Sequence, residues 1–272
     1  MLTIIAYVYA QVEIHSGGPA SLPTSRATLY QAAIGHLLAR DLVRGLTDAP
    51  SVPDPDAQVI ALRSLALEMT NGELGADRMS VDRVILVGSL RTTLAALGSG
   101  SIPEVMLSGL IKRSRLLVPD RDANRFRFPH QSFRDALAAQ ALGDDVAGLM
   151  RRYQAARGDW RETVLLWSGL SRPAVSGLVA TLFAGADPDE RLLALECLTE
   201  TGDVDPVIAG EVIAAFMADL ASGGSDPRAN VILGFVSGRG RYTAVARISP
   251  RGAQPGRLIG EVPSARRMVL YG

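Results

Sequence analysis

The stretch Phe126-Arg127-Phe128-Pro129-His130-Gln131, running into Ser132-Phe133-Arg134-Asp135-Ala136-Leu137-Ala138-Ala139, constrains the fold more than any other part of the chain. Phe126 and Phe128 alternate with Arg127, the period-2 pattern of a half-buried strand. Pro129 stops that strand, and the alanine-rich run behind it has the composition of a helix. The sequence therefore calls for a strand-to-helix junction with His130 at its corner. A helix N-terminus gathers unpaired N–H groups and the positive end of the helix dipole, so an anion can be held beside such a ring.

The surroundings complete a small β-element. Arg115-Leu116-Leu117-Val118 is the expected partner strand, Pro119 to Asn124 a polar turn, and Arg125 to Phe128 the return. A short helix beginning at Ile102-Pro103-Glu104 and carrying Leu107, Leu110 and Ile111 precedes it. Helix, strand, turn, strand is a winged-helix order, and this hairpin is the only β-structure expected before the tail. Elsewhere the apolar residues recur every three to four positions. Leu2 to Val12 is expected as a buried helix. Thr24 or Ser25 can cap a helix lined by Leu29, Ala33, Ile34, Leu37 and Leu38. Pro50, Pro53 and Pro55 mark a linker over Asp48 to Asp56. Further helices are expected over Ala57 to Met69, with Ile60, Leu62, Leu65, Ala66 and Met69 on the apolar side, and over Val81 to Leu97.

Beyond Asp145, helices are expected over Trp160–Leu170, Ala174–Phe183, Glu190–Glu200 and Val207–Leu220, separated by short polar breaks. Such spacing suits paired helices stacked in the HEAT manner. The expected fold is mainly α. It comprises a partial helical domain (1–48), a winged-helix domain with a small β-hairpin (57–143), a HEAT-like helical array (144–224) and an Arg/Gly/Pro-rich tail without periodicity (225–272).

Bulk properties remove whole classes of function. The formal net charge is zero, so no global field favours nucleic acid or an anionic membrane. Charge is uneven, because 226–272 carries eight Arg against Asp226 and Glu261, leaving the remainder mildly acidic. Hydrophobic residues make up 47% and charged residues 21% of the chain, which excludes wholesale disorder. No apolar stretch reaches the roughly 18 residues that span a bilayer. Leu2 to Ala10 lacks the basic flank of a signal peptide. The single Cys197 can form no internal disulfide, which fits a reducing cytoplasm.

Catalytic candidates do not assemble. His15, His36 and His130 are the only histidines, and with one cysteine no Cys/His zinc set can be composed. The carboxylate pairs Asp144-Asp145 and Asp187/Asp189 fall at chain breaks, where helix capping is their expected role. Trp160 and Trp167, seven apart, are expected in the core. Lys112, Arg113, Arg115, Arg121, Arg125 and Arg127 put six cations on the short helix and wing, as a DNA-binding winged helix would, but Asp120 and Asp122 oppose them.

The run Phe128 to Ala139 resembles the "F-x-H-x-S-F-x-E-x-x-A-A" signature that closes the winged helix of NACHT-family signalling NTPases of the STAND class, with Asp135 where Glu is commoner. Further segments resemble that family in the same order. Leu2-Thr3-Ile4-Ile5-Ala6 is similar to the helix following its "N-P-L" proline, and Leu22-Pro23-Thr24-Ser25-Arg26-Ala27-Thr28-Leu29-Tyr30 to its "L-P-x-x-R-x-x-L-Y". Leu62 to Met69 resembles "L-x-x-L-A-x-x-M", and Leu110 to Leu117 resembles "L-I-x-R-S-x-L-L". Trp160-Arg161-Glu162-Thr163-Val164-Leu165-Leu166 resembles "W-x-E-x-x-L-L".

The resemblance implies that His130 contacts the phosphates of ADP and that the intact protein is an ATP/ADP-switched signal-transduction ATPase, in a setting such as bacterial antiviral defence. A P-loop needs G-x-x-x-x-G-K-[ST], and Lys112, the only lysine, follows no such loop. The chain is thus expected to bind no cofactor alone and to hydrolyse nothing. Its expected partners are a nucleotide-binding core from elsewhere and an unknown ligand sensed by the helical region, with Met1 an internal start or truncation. Two alternatives stay open: a winged-helix transcriptional regulator that binds DNA, and an inactive gene fragment.

Overall fold

A computed structural model describes residues 25–39, 55–112, 114–122, 124–170, 173–223 and 226–238. The helix expected over Leu2 to Val12, most of the proline linker, His15, Arg113 and the chain from 239 onward lie outside the described residues. Of the first domain (1–48), only 25–39 is described. Among the described residues the chain is mainly α, with eleven helices and three short strands.

The first helix, α1 (Arg26–Ala39), is capped by Ser25, whose Oγ accepts from the Thr28 N–H at 3.1 Å. Next, α2 (Pro55–Asn71) buries Ala57, Ala61, Leu62, Leu65, Ala66, Met69 and Thr70. Ile60, expected on that stripe, is exposed instead, because the buried face runs through positions 57, 61, 62, 65 and 66. The expected helix from Val81 begins as a strand, β1 (Val81–Asp82), and becomes helical only in α3 (Arg83–Ala96). The next helix, α4 (Pro103–Lys112), runs into a tight corner where Arg115 takes a left-handed backbone, φ 54°. That corner sends Leu116 and Leu117 into the core, both fully buried, so the strand expected at 115–118 starts later, as β2 (Val118–Pro119).

The returning strand, β3 (Arg125–Arg127), lies between the other two, antiparallel to both. Val81 pairs with Phe126 and Asp82 with Arg125 on one side; Val118 pairs with Arg127 and Pro119 with Phe126 on the other. Helix, strand, helix, helix, strand, strand, with the last strand central, is the arrangement of a winged helix. The hairpin expected from sequence is therefore a three-stranded sheet. Two residues of β1 were hidden at the head of a helical pattern.

The junction helix α5 (Gln131–Ala141) is buried at eight consecutive positions, 132 to 139. It packs chiefly on α2 and on α7, with α1 against it as well. The array follows as three helix pairs: α6 (Val146–Ala155) with α7 (Arg157–Ser168), α8 (Val175–Ala184) with α9 (Pro188–Glu200), and α10 (Pro206–Ala221) with α11 (Pro227–Gly238). Helices α6, α8 and α10 touch in one row and α7, α9 and α11 in another, while α5 touches α7 and so extends the second row into the winged helix. The expected array of stacked helices does not end at 224. α11 stands where the tail was expected to begin.

Capping explains the sharp starts. Asp187, Asp205 and Asp226 each precede a proline and accept from the N–H two residues on, at 2.8 Å in every case. Asp supplies the capping oxygen, and Pro fills a position whose N–H would lack a partner. At the end of α5, Gly143 adopts φ 54° and its carbonyl accepts from Trp167 Nε1 at 2.8 Å, tying the winged helix to the first pair. Trp160 and Trp167 are both buried, as expected.

Leu137 sits fully buried in the middle of α5. Leu137→Ala is expected to lower stability by about 2–5 kcal/mol, the range for an enclosed leucine leaving a cavity. Urea denaturation followed by far-UV circular dichroism measures it.

Candidate functional site

The site is the corner where β3 turns into α5. His130 has an extended backbone (φ −145°, ψ 144°) and is the N-cap of α5. Its Nδ1 accepts from the Ser132 backbone N–H at 3.2 Å and lies 3.1 Å from Ser132 Oγ. An N–H cannot donate to a protonated nitrogen, so this bond assigns the proton of the neutral ring to Nε2. The residue is exposed, as are Pro129 and Gln131 beside it. The corner thus offers solvent an N–H donor on a ring whose other nitrogen is already engaged.

One turn into α5 lies a buried pair of charges that was not expected from the sequence, where Asp135 was noted only as a motif position. Arg134 is 4% and Asp135 0% exposed. Arg134 donates to Asp135 Oδ1 from Nε at 3.0 Å and from a terminal nitrogen at 2.8 Å. Its other terminal nitrogen reaches the Arg78 carbonyl at 2.9 Å, so α5 is fastened to the segment leading into β1. Asp135 Oδ2 is buried without a hydrogen-bond partner among the described residues. Burial lifts the Asp135 carboxyl above its ordinary value; Arg134 pulls against this, and nearby Glu162 adds to it. The signal available in the sequence was an adjacent Arg-Asp inside an otherwise apolar helix.

Two arginines of the basic wing are engaged by acids. Arg125 pairs with Asp77 at 2.8 Å and donates to the Ser80 carbonyl at 2.8 Å. Arg127 lies 3.5 Å from Asp120. Lys112, Arg115 and Arg121 are exposed, while Asp122 is spent within the turn, accepting from the Asn124 N–H at 2.9 Å. Of the cations that a DNA-binding wing would use, Arg125 and Arg127 are thus paired with acids, while Lys112, Arg115 and Arg121 face solvent and Arg113 lies outside the described residues.

Of the remaining candidates, Asp145 caps α6 by accepting from the Gly148 N–H at 2.8 Å, and Asp187 caps α9. His36 is half-buried on α1. Among the described residues no group of three or more His, Cys, Asp or Glu could hold a metal ion. Nor is any described helix long and apolar enough to cross a membrane. The Cys197 thiol is fully buried, and burial pushes its pKa up to about 12. It is therefore no nucleophile at neutral pH.

Two measurements follow from these burials. Cys197 should stay unlabelled by a thiol reagent in the native protein and react at once in denaturant. For Asp135 the sign is set by its raised folded-state pKa: the folded protein keeps this proton to higher pH than the unfolded chain. Its contribution therefore falls as pH rises from the unfolded value, near 3.8, through the folded one. The melting temperature of the wild type should decline relative to Asp135→Asn over that window, as read by scanning calorimetry. No family model, curated protein or solved structure matches the chain.

Proposed function

We propose that this chain is the regulatory and ligand-sensing part of a nucleotide-switched signalling ATPase of the NACHT type, with His130 as the latch that reports the nucleotide state. The observation that carries this is the tautomer set at the corner: Nδ1 accepts from the Ser132 N–H, and the exposed ring is left with an Nε2 donor. A phosphate oxygen is the acceptor that suits such a donor at a helix N-terminus. A hydrogen bond to a charged group contributes about 1.5–3 kcal/mol, enough to bias a closed state by roughly ten- to a hundredfold.

The chain carries no phosphate-cradling loop, so the nucleotide, ADP or ATP, would be held by a core supplied as partner, and the hydrolytic groups would belong to that core. This chain's own residues would do the positioning. Arg134 fixes α5 through its bond to the Arg78 carbonyl, Ser132 orients the ring, and the paired-helix array presents the surface for the sensed ligand. Switching then amounts to a bistable contact between His130 and the core, biased by nucleotide on one side and by ligand on the other. A cytoplasmic setting in bacterial defence fits this part. DNA recognition by the wing is disfavoured by the Asp77–Arg125 and Asp120–Arg127 pairs, which occupy guanidinium groups needed for phosphates.

The test uses a variant that separates capping from latching. Asn is a good N-cap but cannot place an imidazole N–H. In the complex of this chain with a P-loop core, His130→Asn should release ADP about ten- to a hundredfold faster while the chain's melting temperature stays unchanged. An unaltered release rate would overturn the latch. Duplex DNA binding that weakens steeply with salt would point to the regulator instead.

A further inference from the structure

Two of the motif segments in the sequence, around Arg26 and around Glu162, are 136 positions apart and meet as an ion pair at 2.9 Å. Neither residue is hydrogen-bonded to His130, although Glu162 lies near enough to Asp135 to raise its pKa. The same guanidinium reaches a second carboxylate from another helix: Arg26 Nε donates to Glu200 Oε1 at 2.5 Å, and the Arg26 backbone N–H lies 3.4 Å from Glu200 Oε2. Arg26 opens α1, Glu162 is on α7 and Glu200 ends α9. One side chain is thus held by two successive helices of the array.

The contact is seated by the backbone as well. Ser25 Oγ donates to the Gly169 carbonyl at 2.7 Å. Gly169 is tightly seated: a Cβ there would lie 3.1 Å from Ala27 Cβ and 3.2 Å from Ser25 Oγ, closer than an ordinary contact. Burial alone would lower the Arg26 pKa, yet Glu200 and Glu162 together raise it. Arg26 is 33%, Glu162 31% and Glu200 8% exposed, so the Glu200 arm is the less screened of the two.

We propose that Arg26 is a clamp through which the helical array controls α1 and, through α1, the α5 corner. The link onward is short. Tyr30 of α1 meets Phe133 of α5 edge-on, with ring centroids 5.5 Å apart. Phe133 donates its backbone N–H to the His130 carbonyl at 3.0 Å. A guanidinium presents its donors in a rigid planar fork, so it satisfies two carboxylates only at a fixed separation. Stacked helix pairs change curvature by small rotations of each pair, and such a rotation between α7 and α9 alters the distance between Glu162 and Glu200. A ligand that bends the array therefore strips one arm from Arg26 and frees α1. The regulatory meaning of the clamp rests on the latch proposed above; the clamp itself belongs to this chain alone.

Hydrogen–deuterium exchange on the full chain, without nucleotide, provides the test. In Arg26→Gln and in Glu200→Gln, the α1 amides should exchange at least about tenfold faster, while those of α3 keep their wild-type rates. Glu162→Gln, the more exposed arm, should give a smaller increase. Gly169→Val, which leaves every charge in place but pushes at the seat of α1, should loosen α1 in the same local way. Unchanged α1 protection in Arg26→Gln and Glu200→Gln, or a rise shared equally by α3, overturns the clamp. Because no nucleotide is present, a failed His130 latch leaves this measurement untouched. Conversely, a failed clamp leaves the ADP release test intact.

Discussion

Everything in this structure is arranged around the enclosure of α5. Eight consecutive residues of one helix are buried, which requires neighbours on all sides: α2 and α7 as the main walls, α1 along another. A helix hidden all round has no amphipathic stripe to set its rotation. The bond from Arg134 to the Arg78 carbonyl supplies that orientation. Arg134 and Asp135 are a buried pair of neighbours on one helix and turn together, so the contact that marks the rotation of α5 is this bond, outside the helix. Breaking such a pair costs about 3–5 kcal/mol. Burial raises the Asp135 carboxyl above its ordinary value, so the charged pair is held in the core against desolvation.

Outward from α5 the array repeats one device. The α7–α9 and α9–α11 interfaces are both crossed by arginine–acid pairs. Arg157 pairs with Asp187 and with Glu190, Arg161 pairs with Glu196, and Arg228 pairs with Asp189. Arg191 instead lies over the rings of Phe183 and Phe216, bridging α8 and α10. Exposed bridges add little stability singly, but they fix the rotation of each pair upon the last. Apolar contacts within pairs supply the cohesion. Arg26 departs from this pattern because it enters from outside the row and spans two of its members at once. That is why flexing of the row is felt at α1.

The parts legible in the sequence are those set by neighbours in the chain. The β3-to-α5 junction could be read because the Phe alternation, Pro129 and the alanine run are contiguous, and α7 to α10 because their apolar period survives over about three turns; α6 was not among the helices expected. β1 was hidden because two residues cannot display a period, and Val81 and Asp82 stand directly before a helical pattern. The shift of β2 depended on Arg115 accepting a left-handed backbone, which arginine gives no hint of doing. α11 was missed behind Gly223 and the Arg-rich composition, although Asp226-Pro227 repeats the Asp-Pro start of α9 and α10. Contacts such as Arg26 with Glu162 and Glu200 join positions 136 and 174 apart and leave no local trace.

Why the corner residue is histidine remains to be accounted for by physical preference. As an N-cap, Asp, Asn or Ser would satisfy the Ser132 N–H better, since their short side chains place an acceptor with less ordering. None of these carries an N–H fixed to face away from the helix, except Asn through a freely turning amide. An imidazole whose Nδ1 is engaged has a single tautomer when neutral and therefore a donor with a fixed direction. Aromatic packing would also explain the ring, but His130 is exposed and Phe133 already fills the inner position beside it. Choosing a weaker cap at the solvent edge of a helix buried at eight consecutive positions makes sense where the outward donor has a task of its own.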